Sequence, residues 1–105
     1  MTYLYILTDG QLYKIGITNN LDARLKQNQT GNPYRLWYVL NVAYRDRSEA
    51  ERIEAWALRF GRPTGGGSEW RELSVSELRK IRNALTGQSW LGRVLGAVFG
   101  WLGVK

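Results

Sequence analysis

Tyr5 and Lys14 are the first residues whose chemistry could combine. They flank Asp9-Gly10, the strongest short hairpin signal in the chain. A two-residue turn there pairs Thr8 with Gln11 and sets Tyr5 directly opposite Lys14, with Cβ atoms about 5 Å apart. Tyr3 and Gly16 fall on that same face, and Tyr13 points to the other. An ammonium beside a phenol stabilises the phenolate. Such a pair could take a proton from water or hold a phosphate oxygen. A plain cation–aromatic contact on a solvated face is the competing reading.

Two further residues extend this constellation. A helix is expected over about residues 20–28, capped by Asn19 or Asn20, with Leu21 and Leu25 on one face. Arg24 sits on the edge of that stripe. The helix starts soon after the strand bearing Lys14, so Arg24 is expected to reach the same face. Glu54 lies in a second helix, where its neighbours one turn away are Ala50, Ala57 and Leu58. It therefore borders the buried stripe, and a carboxylate there is costly unless paired or bound to a metal. One carboxylate without histidine makes a sparse, mostly water-filled metal site, which suits magnesium or manganese rather than zinc. Glu69 is the second candidate ligand.

The composition narrows the chemistry further. Among the 105 residues there is no cysteine and no histidine. Disulfides, thiolate metal sites, thiol catalysis and the commonest general base are thereby excluded. Catalysis would have to run on Tyr, Lys, Arg, Ser, Thr, Asp or Glu. A reducing, cytoplasmic setting is the simplest expectation, and Met1 to Tyr5 carries no basic leader before an apolar run. The net charge of +6, from 15 Lys and Arg against 9 Asp and Glu, suits an anionic partner, either nucleic acid or an acidic membrane surface.

The elements that must position these residues follow from patterning. Residues 3–8 and 11–17 read as a hairpin, and Leu36 to Ala43 as a third strand. Ser48 and Glu51 read as a capping box opening a helix with Ala50, Ile53, Ala57 and Phe60 inward, ended by Gly61. Arg62 to Ser68 is expected to be a flexible loop, and Glu69 to Leu73 a short strand. Ser74 and Glu77 form a second capping box for a helix to about Leu85. This order is β-β-α-β-α-(β)-α, an α+β pattern.

Residues 88–105 differ in composition, being apolar and glycine-rich. The recurrence of Trp90, Leu91, Val94, Leu95, Val98, Phe99 and Leu102 predicts a helix over 89–102. A bilayer core needs about 20 apolar residues, so the run is too short to span one. Docking on the domain itself, self-association and contact with a membrane surface are the three readings for it.

Tyr3-Leu4-Tyr5, Tyr13-Lys14-Ile15-Gly16 and the following Arg24 resemble the GIY-YIG nuclease superfamily. The likeness is to its phage and bacterial branch with a K-I-G second motif. Leu25-Lys26-Gln27, Gln29-Thr30-Gly31-Asn32-Pro33, Ala50-x-x-Ile53-Glu54 and Ser68-Glu69-Trp70 are similar to that branch as well. The resemblance covers residues 2–85. It implies a small domain with a central three-stranded antiparallel sheet over residues 1–86, followed by an apolar helical tail over 87–105. It further implies a metal-dependent endonuclease hydrolysing DNA, with RNA also open as a substrate. Tyr5 would carry the first motif's tyrosine role, and Lys14 would stand where most members have the second tyrosine. Arg24 would neutralise the scissile phosphate, and Glu54 would hold magnesium or manganese. The first motif lacks its glycine, and no histidine is present where many relatives place one. Two other classes compete: a non-catalytic nucleic-acid-binding module of the same fold, and a membrane-surface or oligomerising adaptor acting through residues 88–105.

Overall fold

The computed structural model describes residues 1–64 and 69–87. The chain divides into two compact units at the Leu73–Ser74 junction. The fold is a small α+β arrangement with a five-stranded antiparallel sheet and three α-helices.

In the first unit the elements are β1 (Thr2–Thr8), β2 (Tyr13–Thr18), α1 (Leu21–Gln29), β3 (Trp37–Tyr44), α2 (Arg47–Ala57), β4 (Arg62–Pro63) and β5 (Arg71–Glu72). The sheet order is β3-β1-β2-β5-β4. The three long strands are those expected, and β5 and β4 extend the sheet beyond β2. The run Tyr3-Leu4-Tyr5-Ile6-Leu7 suits the central strand, because its alternate side chains must fill both faces. Leu4 and Ile6 are buried on one face, and Tyr5 and Leu7 on the other. On the Tyr5 face, Leu36 completes a buried cluster against which Leu21, Leu25, Tyr38 and Trp70 pack. This contact fixes α1 beside the sheet. α2 packs on β1 and β2, with Ala50 and Ala57 fully buried.

The hairpin corrects the expected register. Tyr5 pairs with Gly16, Leu7 with Lys14 and Thr8 with Tyr13, a shift of one whole pleat. The chain turns through Asp9 to Leu12 because side chains take over the ladder's work. Asp9 Oδ1 accepts hydrogen bonds from the backbone N–H of Gln11 and of Leu12, each at 2.9 Å. The Thr8 hydroxyl accepts from Gly10 N–H at 2.9 Å and donates to the Leu12 carbonyl at 2.8 Å. Gly10 has φ +103°, which only glycine adopts without strain. The shift is even, so each residue keeps its face. Lys14 is still on the Tyr5 side, as a diagonal neighbour instead of a direct one.

The new register explains Gly16. A Cβ built there would lie 2.6 Å from the Tyr5 hydroxyl oxygen and 2.8 Å from the ring carbon that bears it. Tyr5 is 1% exposed, so its ring has nowhere to retreat. We expect Gly16→Ala to destabilise the fold by about 1–3 kcal/mol through overpacking. A urea melt would show this as a lower midpoint with an unchanged slope.

Helix starts follow their caps only in part. Asn20 caps α1 through the Ala23 N–H at 3.0 Å. The Ser48–Glu51 capping box does not form. Instead α2 begins two residues earlier, after Asp46, which leaves Ser48 inside the first turn. Glu51 pairs with Arg47 one turn back, at 3.2 Å. α2 ends at Ala57 with Leu58 as its C-cap, short of the expected end at Phe60 and Gly61. Gly61 has φ +73°, and a Cβ there would strike the Glu72 carbonyl oxygen.

The second unit begins with the Ser74–Glu77 capping box, fully formed, at the head of α3 (Val75–Arg82). The helix passes into a π-helical turn over Asn83–Gly87, in which Thr86 donates to the Arg82 carbonyl at 2.6 Å. The expected tail helix over 89–102 and the glycine run at 65–67 lie outside the described residues. No described helix is long and apolar enough to cross a membrane.

Candidate functional site

β1, β2, α1, α2, β4 and β5 of the first unit meet around one cavity of about 570 Å³. β1 contributes Tyr5, β2 contributes Lys14 and Gly16, α1 contributes Arg24 and α2 contributes Glu54; all of them line it. The four candidates of the sequence are thus brought together. The hydrophobic face that buries α1 leaves Arg24 half-buried at its edge. The alanines that seat α2 leave Glu54 in the same position.

Lys14 is the most tightly held of the four. Its Nζ donates to Asn28 Oδ1 at 2.6 Å and pairs with Glu69 Oε1 at 2.7 Å. Its side chain is 15% exposed, against 72% for Glu69. Asn28 in turn donates Nδ2 to the Arg24 carbonyl at 2.9 Å, which ties Lys14 to the helix bearing Arg24. The hydrogen bond and charge of Lys14 hold the Glu69 carboxyl below its usual range. Glu69 is therefore engaged as a counter-ion to Lys14, with Lys14 acting as an ammonium.

Glu54 is in the opposite situation. Its carboxylate makes no hydrogen bond or ion pair among the described residues. Burial, seconded by the charge of Glu51, raises its pKa, and Arg47 offsets this only in part. Such a group gains from a cation that could share its cavity. Among the described residues no cluster of three acids exists to hold a metal. A metal here would take one protein carboxylate and keep most of its waters, as magnesium and manganese do more readily than zinc.

The Tyr5 hydroxyl is likewise unpartnered among the described residues, although its ring is buried. It lies over Gly16, with Tyr38 edge-on at 5.5 Å between ring centroids. The Tyr38 hydroxyl donates instead to the Leu21 carbonyl at 2.7 Å. Burial and the neighbouring Tyr5 raise the Tyr38 pKa, so that phenol stays neutral. A buried hydroxyl with no partner calls for an explanation, and a ligand in the cavity supplies one. The Arg24 guanidinium also forms no side-chain hydrogen bond or ion pair among the described residues.

Sequence reasoning missed two residues here. Asn28 carries no signal except its place one turn after Arg24. Arg71, 9% exposed, lines the cavity and donates Nη2 to the Leu58 carbonyl at 2.9 Å and Nε to the Phe60 carbonyl at 3.1 Å. It thereby satisfies carbonyls at the end of α2 and anchors the helix that carries Glu54. An arginine soon after a helix-ending glycine was the available clue. Arg24, Lys14, Arg47 and Arg71 line the cavity together with Glu51, Glu54 and Glu69.

The family model of the T5orf172 domain matches residues 2–86; the match is to that family and not to the GIY-YIG family itself. No curated protein and no solved structure matches the chain.

Proposed function

The chain belongs to the T5orf172 domain family, a phage-associated domain found in nuclease contexts, and from that premise we propose that it is a GIY-YIG-type, metal-dependent endonuclease acting on DNA. The observation that carries this reading is the meeting of Tyr5, Lys14, Arg24 and Glu54 in one basic cavity. The finer assignment to the GIY-YIG type adds the motifs Tyr3-Leu4-Tyr5 and Lys14-Ile15-Gly16.

Phosphodiester hydrolysis requires charge stabilisation on the phosphate and an oriented water. Arg24, which makes no side-chain hydrogen bond or ion pair among the described residues, would bind a non-bridging phosphate oxygen. Lys14, fixed by Asn28 and Glu69, contributes a positive charge whose position does not wander. The Tyr5 hydroxyl would accept a hydrogen bond from the attacking water and so orient it toward the phosphorus. Glu54 would hold magnesium or manganese, which when bound adds charge stabilisation at the phosphate and makes water easier to deprotonate. Water attacks phosphorus and gives up a proton to solvent, the P–O bond to the leaving oxygen breaks, and that oxygen takes up a proton from solvent, so one water is consumed per bond cut.

Supercoiled plasmid tests the reading. The purified chain should convert it to open circle with magnesium or manganese and leave it intact in EDTA. Binding of plasmid without cutting, in either metal, would favour a non-catalytic nucleic-acid-binding module.

A further inference from the structure

A second cleft lies next to the cavity, and the Lys14–Asn28 hydrogen bond links the lining of one to that of the other. Asn28, which holds Lys14 in the first, lines the second; Trp70, next in sequence to Glu69, lines it too. The cleft is shallow, measures about 460 Å³, and is lined on one side by Asn32, Pro33 and Tyr34 from the segment between α1 and β3.

That segment is braced by side chains of its own. Gln29 donates Nε2 to the Tyr34 carbonyl at 2.8 Å and accepts from the Leu36 N–H at 2.9 Å. Asn32 Oδ1 accepts from the Tyr34 N–H at 2.9 Å. Gly31, at φ +77°, lets the chain leave α1 in a left-handed turn. These bonds hold Tyr34 at a set place while leaving it 64% exposed. A large exposed aromatic on a braced loop costs apolar hydration and returns nothing to the core.

We propose that this cleft is a nucleobase subsite, in which Tyr34 and Trp70 receive an unpaired base next to the phosphate bound in the first cavity. The proposal rests on the nuclease reading of that cavity and extends it to a substrate class: nucleic acid with an unstacked base beside the cut. Three features favour a base over other occupants. Aromatic faces stack any base without regard to sequence. The cleft adjoins the basic cavity, so a backbone bound there delivers its neighbouring base here. Asp9, on the cleft's edge, is suited to a base's amino groups and opposes a second phosphate. A base in a continuous duplex must first be unpaired and unstacked, which costs free energy, so an already unpaired base enters more readily.

The test uses two fluorescent DNA probes of the same sequence, one single-stranded and one a blunt duplex, titrated by anisotropy in EDTA so that nothing is cut. Tyr34→Ala should bind the single strand about tenfold more weakly than the wild type and the duplex equally well. Tyr34→Phe should match the wild type on both. Equal single-strand affinity for Tyr34→Ala overturns the subsite, as does an equal loss on both probes. In either case weaker binding of both probes by Arg24→Ala still supports the cavity. A wild type that binds neither probe overturns the nucleic-acid reading together with the subsite.

Discussion

Glu54→Gln is expected to lower metal-dependent plasmid nicking by at least about a hundredfold while leaving the protein folded and more heat-stable in EDTA. The loss follows from the role proposed for the carboxylate. A site with one protein ligand for the metal has no substitute when that ligand loses its charge, and removing a preorganised charged group at a phosphate costs on the order of 10²–10³ in rate. The gain in stability follows from its surroundings. Burial raises the Glu54 pKa, so the folded chain binds this proton more tightly than the unfolded chain. Stability is therefore lost as pH rises from the unfolded value through the raised one, and at neutral pH the ionised group is a liability. Glutamine keeps the shape and removes the charge. Melting curves in EDTA at neutral pH and at acid pH check this: the variant's advantage should be present at neutral pH and shrink on acidification. A variant that melts lower than the wild type at neutral pH would show that Glu54 has a structural partner.

Arg24→Ala should show the second large effect, again about a hundredfold or more in single-turnover cleavage, with a different signature. The guanidinium is the cation in the cavity with no side-chain partner among the described residues, so its removal breaks no fold contact. Its melting temperature should stay near that of the wild type. Because it meets the phosphate directly, the loss should include weaker DNA binding and a reduced dependence of binding on salt. Arg24→Lys should recover part of the binding but little of the rate, since an ammonium cannot reproduce the planar two-pronged contact. Full rate in Arg24→Ala would remove this residue from the site.

Much of this arrangement was legible in the residues themselves. The alternation in Tyr3 to Thr8 identified a strand with two apolar faces, and Asn20 and the Ser74–Glu77 pair marked helix starts where the structure has them. The face shared by Tyr5, Lys14 and Gly16 was legible too, because an even register shift preserves it. The register itself was not. Asp9-Gly10 suits a two-residue turn by type, but the Asp9 carboxylate and Thr8 hydroxyl satisfy backbone groups across a wider loop, and only then does Tyr5 lie over Gly16. The Ser48–Glu51 box had the right spacing and lost to the Arg47–Glu51 pair. β5 falls inside the short strand expected over Glu69 to Leu73, but β4, two residues long within the expected loop, is too short to have a period. Their pairing depends on Tyr13 meeting Arg71, a contact between residues far apart in the chain. Asn28 and Arg71 escaped for the same reason, since each acts through a carbonyl or side chain that tertiary structure alone brings near.

The central claim is that a divalent metal sits in the Tyr5–Lys14–Arg24–Glu54 cavity. Substoichiometric manganese added to the ¹⁵N-labelled chain measures this directly, because the paramagnetic ion broadens only the amide signals near it. The account predicts broadening centred on Glu54 and reaching Tyr5 and Gly16, and its loss in Glu54→Gln. Broadening centred elsewhere, or unchanged in Glu54→Gln, would contradict it.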